Sequence, residues 1–330
     1  MMGSVAVAVI LPESDGSNDP NLENWTAAET ATVMGEIQAG LSWWASVEAN
    51  ASLTFIYHTP TPQVVATSYE PISRPGTDEG LWINEVMTVL GYPSGDHFAR
   101  VRAYDNFLRA LHGTDWAFTI FVVDSSVDAD GLFTDGDFAY AYLGGPFQVM
   151  TYDNDAWGIG LMDLVAAHET GHIFWATDEY DEGPTSGFDP GFDDETSGYL
   201  DLQEIWLSEC IMDDNTLCVS AGTAGQIGWV DSDSNSAFDI LDVPPETTLT
   251  PHADPTNNVT PTYTGTATVD PFPAVIGTSV TINTIADVEY RVDGGSWSSA
   301  SALDGAFNET AEAFTFTTPL LAEGNHTIEA

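Results

Sequence analysis

Five consecutive residues, His168-Glu169-Thr170-Gly171-His172, constrain this chain more than any other part of it. On a helix, positions i and i+4 share one face. The two imidazoles then stand one turn apart with a carboxylate between them, so both rings can reach one metal ion while Glu169 contacts a water beside it. The apolar stretch Leu161, Met162, Leu164, Val165, Ala166 and Ala167 reads as a buried helix leading directly into His168. Gly171 leaves room for another segment to pack closely. A catalytic zinc needs a third protein ligand and an open position, so the fold has to bring a further donor to this face. The plain alternative is a core helix with two satisfied histidines.

Downstream, Ile173-Phe174-Trp175-Ala176-Thr177-Asp178-Glu179-Tyr180 supplies two carboxylates. A continuous helix would carry residue 178 about 15 Å along the axis from His168, too far to share one ion, so the chain must turn back after His172. Here the sequence resembles the metzincin metallopeptidases, whose signature is HExxHxxGxxH or the same with Asp last. Asp178 falls on the final position, and Trp175 stands where the family has its turning glycine. Glu179 competes with Asp178 as third ligand, because the Asp178-Glu179-Tyr180 triplet also resembles the tail of the IgA-type metallopeptidases. Ser208-Glu209-Cys210-Ile211-Met212 resembles the family's methionine turn, and residues 220–229 fit the helix that follows it.

The resemblance spans residues 4–230. It implies a zinc-dependent endopeptidase in which His168, His172 and Asp178 hold zinc. Glu169 would act as general base and then general acid toward a zinc-activated water. Met212 would lie beneath the metal, and residues 147–152 would form the edge strand that pairs with extended substrate. Tyr180 is either an oxyanion stabiliser or a packed phenol.

Charge narrows the partners. Against 51 Asp and Glu stand five basic residues, Arg74, Arg100, Arg102, Arg109 and Arg291, with no Lys. Such a surface repels nucleic acid and anionic membranes, and no apolar stretch is long enough to cross a bilayer. The protein or peptide substrate is what the metallopeptidase resemblance implies, and the zinc helix itself specifies activated water, leaving a non-peptide bond open. The acidity fits a halophilic solvation shell or carboxylates used as calcium ligands. Asp231, Asp233, Asn235, Asp239 and Asp242 place oxygens at the spacing of an EF-hand-type loop, with Ser236 at the glycine position. That loop is similar to the calcium loops of dockerin-like and thrombospondin-type repeats. Asp124, Asp128, Asp130 and Asp135 form a second acidic group, read as a solvated loop. Cys210 and Cys218 can form one disulfide closing a short loop, consistent with an oxidising, secreted or cell-surface setting.

Along the chain, residues 5–11 read as a buried strand closed by Pro12. A helix over 25–48, a strand over 53–57, helices over 82–90 and 96–111, and a strand over 117–123 follow. Strand-like runs over 138–143 and 147–152, joined by Gly144-Gly145-Pro146, precede the histidine helix over 159–175. This alternation predicts an α/β catalytic domain over residues 1–243, including the acidic loop 231–242, with a mixed, mainly parallel sheet backed by helices. Residues 244–330 turn to Thr, Val, Pro and Gly with short alternating runs such as 279–282 and 314–316, predicting an antiparallel β-sandwich. Residues 290–295 and 324–327 resemble bacterial immunoglobulin-like repeats, implying attachment to a cell surface or matrix. The pattern stops in mid-strand at 327–330, so the sandwich is expected to be truncated. Residues 5–11 lack the basic flank of a signal peptide, so an exported protein would carry its leader outside this sequence. The rival from another class is a non-catalytic adhesin or scaffold with a structural zinc, although a closed structural site needs four ligands and His58, His97 and His112 lie far upstream.

Overall fold

Val5 through Leu11 are fully buried along β1 (Ser4–Ser14), which makes this strand the centre of the first sheet. A strand covered on both faces carries an unbroken apolar run instead of an alternation. The computed structural model describes residues 1–179, 210–274 and 279–330. β1 pairs in parallel with β2 (Thr54–His58) and then β3 (Val64–Thr67) along one side, and with β4 (Trp116–Val123) along the other. β6 (Phe147–Thr151) lies parallel to β4, and β5 (Ala139–Ala141) runs antiparallel to β6, giving the order β2-β1-β4-β6-β5.

Two expectations are corrected here. The first strand runs through Pro12 instead of ending there. Leu11 N donates to Gln63 O on the β3 side, so the Pro12 nitrogen faces the opposite side, where pairing with β4 has already stopped at Ile10 and Phe121. The proline therefore breaks no ladder bond. The edge strand is β5, not residues 147–152. Gly144 and Gly145, both at positive φ, fold the chain so that β5 and β6 form a hairpin with β5 outermost.

Helices cover both faces. α1 (Ala27–Val47) opens with a capping box, in which Thr26 accepts from the Glu29 amide and the Glu29 carboxylate accepts from the Thr26 amide. α2 (Glu79–Val89) and α3 (His97–His112) pack against Ala6, Ala8, Ile10, Phe121, Phe147 and Val149. α4 (Met162–Ile173) lies on the other face, where Thr170 Oγ1 donates to Gln148 Oε1 at 3.3 Å and Phe174 meets Phe118 edge to face. α1 packs along α4 without a gap. A Cβ on Gly40 would collide with the Asp163 carbonyl, and Trp44 Nε1 donates to Ala167 O at 2.8 Å. The histidine helix is thus held between α1 and the sheet, and residues Val165 through Ile173 are all buried.

The chain divides into two compact units, the second beginning at Asp231. Among the described residues that unit holds two antiparallel sheets. One has the order β11 (Ser301–Ala302), β12 (Ala311–Thr317), β8 (Thr262–Thr268), β7 (Glu246–Leu249); the other has β10 (Ser298–Ser299), β9 (Glu289–Val292), β13 (Ile328–Glu329). Ala267, Val269, Ile285, Val288, Phe314 and Phe316 form its core, and Tyr290 stacks on Phe316 with centroids 4.0 Å apart. The alternation predicted at 314–316 is present in β12, whereas residues 279–282 form no strand. There the alternating pattern is outweighed by the lack of a partner, since β11 and β8 take the ladder positions beside β12. Among the described residues no helix is long and apolar enough to cross a membrane.

Candidate metal centre

α4 ends at Ile173, directly after the second histidine, because the chain reverses there. Trp175 adopts φ +72°, and the amides of Phe174 and Ala176 both donate to Gly171 O. A left-handed residue at this point closes the helix as a glycine would. For tryptophan the conformation costs roughly 1–2 kcal/mol. The indole offsets that cost by lying flat on the backbone of Gly144, where any Cβ would come within 2.5 Å of the ring. Gly144 N also donates to His172 O at 3.0 Å, so the same contact ties the β5–β6 turn to the end of α4.

The reversal brings Asp178 back to the histidines. His168 Nδ1 faces Ile211 O at 2.7 Å and His172 Nδ1 faces Ala176 O at 2.8 Å. A carbonyl only accepts, so each Nδ1 carries a proton, and with Nδ1–H so committed the ring atom free to ligate a metal is Nε2. Both Nε2 atoms point at Asp178 Oδ1, at 3.1 and 3.3 Å. A cation placed between these three buried groups would satisfy all of them at once. Ligands bound to one tetrahedral zinc at about 2.0–2.1 Å stand about 3.3 Å from one another, which is the spacing found. Among the described residues this is the one group of three or more His, Cys, Asp or Glu whose ligand atoms lie within 4.8 Å of each other. The donor set of two imidazoles and a carboxylate therefore fits zinc.

Glu179 does not compete for this position. Its Oε1 accepts from Ser220 Oγ at 2.5 Å, Thr223 N at 3.1 Å and Thr223 Oγ1 at 3.0 Å, at the N-terminus of α6 (Ala221–Gln226). The two adjacent carboxylates point to opposite partners, and the alternative in which Glu179 is the third ligand is set aside. Met212, in α5 (Ile211–Asp214), is fully buried beneath the helix. A Cβ on Gly171 would lie 2.5 Å from its sulfur. Cys210 and Cys218 form a disulfide, and Ile211 N donates to Cys218 O, which fixes the segment whose Ile211 carbonyl orients His168. Glu179 N in turn donates to Met212 O at 2.8 Å.

Glu169 is buried with Oε2 lacking any hydrogen-bond partner. Burial pushes its carboxyl up to about 8, with His168 opposing the shift and Asp178 adding to it. A buried carboxylate oxygen without a donor, one residue from a metal ligand, is placed as a proton-transfer group would be.

Several parts of the site carried no sequence signal. The Ile211 and Ala176 carbonyls set both imidazole tautomers, but every residue has a carbonyl. Gln226 holds the segment leading to Asp178, accepting from Thr177 N and donating to Thr177 Oγ1, each at 2.9 Å. Its place in the helix after the methionine turn was the available clue. Tyr180, Ser208 and Glu209 lie outside the described residues.

In the acidic loop, Asp231 accepts from the Asn235 and Ser236 amides, Asp239 Oδ1 accepts from Ser232 N, and Asn235 Nδ2 donates to Asp242 Oδ2. Asp233 Oδ1 also accepts from Asn235 N. Ser236 takes φ +75° at the position where an EF-hand-type loop has glycine. The carboxylates of Asp231, Asp233, Asp239 and Asp242 bind the loop's own donors and do not converge as a three-ligand group. Asp124, read above as part of a solvated loop, is buried at the end of β4, since the residues after it fold back over the sheet.

No family model and no curated protein matches the chain. Among solved structures it is similar to a zinc-dependent peptidase from Methanocorpusculum labreanum (strain Z), with 14% sequence identity, a TM-score of 0.30, and coverage of 68% of this chain and 99% of that one.

Proposed function

We propose that this protein is a zinc-dependent endopeptidase of metzincin type, with His168, His172 and Asp178 as the metal ligands and Glu169 as the proton-transfer group. The observation that carries the reading is the tautomer pattern. Two Nδ1–H groups are committed to backbone carbonyls, so two Nε2 atoms and one carboxylate oxygen face a common point. Zinc bound there would supply Lewis acidity, polarising a carbonyl and acidifying water.

The chain's own residues supply the rest. Glu169, buried and without a partner at Oε2, accepts a proton from the attacking water and returns it to the leaving amine. Met212 and Gly171 hold the floor of the site in close contact. The outer edge of β5, at the end of the sheet, offers backbone groups to an extended peptide, and the Gly144–Trp175 contact ties that edge to the metal ligands. A peptide substrate needs no basic cleft, which is consistent with a chain of net charge −46. The disulfide suits export to an oxidising compartment, and the second unit would serve as an attachment module.

The test is hydrolysis of unfolded casein by zinc-loaded protein, with and without chelator, beside Glu169→Gln. Activity should vanish on chelation, return with zinc, and be lost in the variant while one zinc per chain stays bound. Cleavage at the original rate by Glu169→Gln would refute the role given to Glu169. A zinc-bound wild type that cleaves no peptide would favour the scaffold reading.

A further inference from the structure

Residues 79–112 hold three of the five arginines of the chain and four of its 51 acids. Each of the four acids is engaged within the fold. Glu79 and Asp105 are buried, Glu85 accepts from Thr67 and Ser68, and Asp96 caps α3 by accepting from the Ala99 amide. Arg100, Arg102 and Arg109 form no ion pair among the described residues, where the arginines that do are Arg74 and Arg291. Arg100 is held by neutral groups, donating to Gly95 O, Asn84 O and Thr88 Oγ1, and Arg109 reaches Asn106 Oδ1 at 3.5 Å. A cation in the last turn of α3 complements the helix dipole, which accounts for Arg109; Arg102, in mid-helix, gains nothing from it. In a chain of net charge −46, three arginines on one helix that no surface carboxylate answers form a local reversal of sign.

Apolar side chains share this surface. Phe107 and Leu111 are 45 and 52% exposed, and Phe107 leans on the half-buried Tyr92 with ring centroids 6.3 Å apart. At about 3.6 residues per turn, Arg102 and Arg109 fall on one side of the exposed face and Phe107 and Leu111 on the other, with Ala103 and Ala110 between them. The face is a shallow trough with an alanine floor, a basic rim and an apolar rim. Its arginines and its alanines each repeat after seven residues, about 10.5 Å along the axis, a repeat that a second helix lying alongside can follow.

We propose that the outer face of α3 docks an acidic amphipathic helix of another protein, with carboxylates of that helix on Arg102 and Arg109 and its apolar side chains on Phe107, Leu111 and the alanines. Sign and size select this partner. A second copy packed through α3 would oppose the arginines to a face without an exposed carboxylate. A membrane or a nucleic acid is anionic over a far larger area than one 16-residue helix and would press against the acidic remainder of the surface. A single helix touches the trough alone. Because α3 covers the face of the sheet away from α4, this surface is separate from the metal centre and does not rest on the proposed peptidase activity.

The experiment titrates the full-length protein into a fluorescent helical peptide of about three heptads, with leucines along one face and glutamates beside them at seven-residue intervals. A second peptide carries glutamine at each glutamate position. Salt is held at about 0.15 M, where the Debye length of about 8 Å screens the distant acids. By anisotropy the glutamate peptide should bind saturably at micromolar concentration and more tightly than the glutamine peptide, although the net charge of the protein opposes that order. Arg102→Gln and Phe107→Ser should each weaken it about tenfold, as loss of a central contact does, while Val127→Ser, at an exposed apolar residue elsewhere, should change nothing. Both variants alter exposed side chains, and an unchanged thermal midpoint confirms that they fold. No binding of the glutamate peptide, equal binding of the two peptides, or wild-type affinity in Arg102→Gln and Phe107→Ser would overturn the proposal. Sedimentation with phosphatidylglycerol vesicles, or dimerisation in light scattering that Phe107→Ser abolishes, would assign the face to a lipid surface or a second copy instead.

Discussion

Replacing Gly171 by alanine tests the floor of the metal centre, because two opposing effects predict opposite signs. In a helix interior, Gly→Ala adds about 1 kcal/mol of stability from backbone entropy alone. Here the new methyl would stand 2.5 Å from Met212 Sδ and 3.2 Å from its Cε, in fully buried surroundings. Forcing extra volume into a packed core costs about 1–3 kcal/mol, so the net change should lie between neutral and about 2 kcal/mol destabilising. Displacing Met212 also moves Ile211, whose carbonyl holds His168 Nδ1 at 2.7 Å. Loss of such an orienting partner typically weakens metal binding 10–100-fold, on the order of what competition with a zinc dye would read out here. The decisive measurement repeats the substitution in a Met212→Ala background. With the thioether gone, Gly171→Ala should become stabilising by about 1 kcal/mol, as helix propensity alone dictates. Equal stabilisation in both backgrounds, with unchanged zinc affinity, would show that Met212 does not rest on Gly171.

Three further outcomes are expected. At Trp175, φ +72° makes glycine better than alanine, so chemical denaturation should rank stability as Trp175 above Trp175→Gly above Trp175→Ala, the last two separated by about 1 kcal/mol; alanine equal to glycine would contradict the left-handed turn. Asp178→Asn should lower zinc affinity sharply, whereas Glu179→Gln should keep one zinc per chain and cost about 1–2 kcal/mol through its Ser220 and Thr223 bonds; retained zinc in the first variant and loss in the second would reverse the assignment. Burial pushes the Glu23 carboxyl up to about 7, with nearby Asp124 and Glu70 adding to it. The folded state therefore holds a proton that the unfolded chain gives up near 4.5, so the protein should lose stability as pH rises from about 4.5 through 7. A contribution of Glu23 that rises over the same window, read as the difference between wild type and Glu23→Gln, would disprove the buried-carboxylate reading.

The histidine helix was legible because it is written in local spacing, whereas the capping box at Thr26 emerged only with the structure. The parallel sheet was legible as an alternation of elements, although β3, only four residues long and flanked by prolines, was not. What failed depended on partners far away in sequence. Whether residues 147–151 form an edge or an interior strand is decided by where β5 pairs, and a strand's own residues do not state its neighbours. Trp175 is the opposite case. Propensity argues against a left-handed tryptophan, and the conformation is tolerated because the Gly144 backbone, thirty-one residues upstream, receives the indole. The sequence departure that most weakened the family resemblance is thus compensated by a glycine in a different element.

Charge explains why buried carboxylates recur across the first unit. With five arginines, most of them on α3 or committed to surface ion pairs, the fold has few cations with which to pair an interior acid. It answers in chemically distinct ways. Asp105 is fully enclosed beside Thr119, which donates to one oxygen at 2.8 Å while the other has no partner. Burial drives its carboxyl well above the usual range, against the Thr119 hydroxyl and the Arg102 charge, which pull the other way. Asp178 is equally hidden, and its Oδ1 stands 3.1 and 3.3 Å from two imidazole nitrogens. The difference lies in what each oxygen meets, one hydroxyl in the first case and two ring nitrogens at metal-ligand spacing in the second. A buried acid set among further ligand atoms at that spacing marks a metal position, and a buried acid against a single hydroxyl marks only the core.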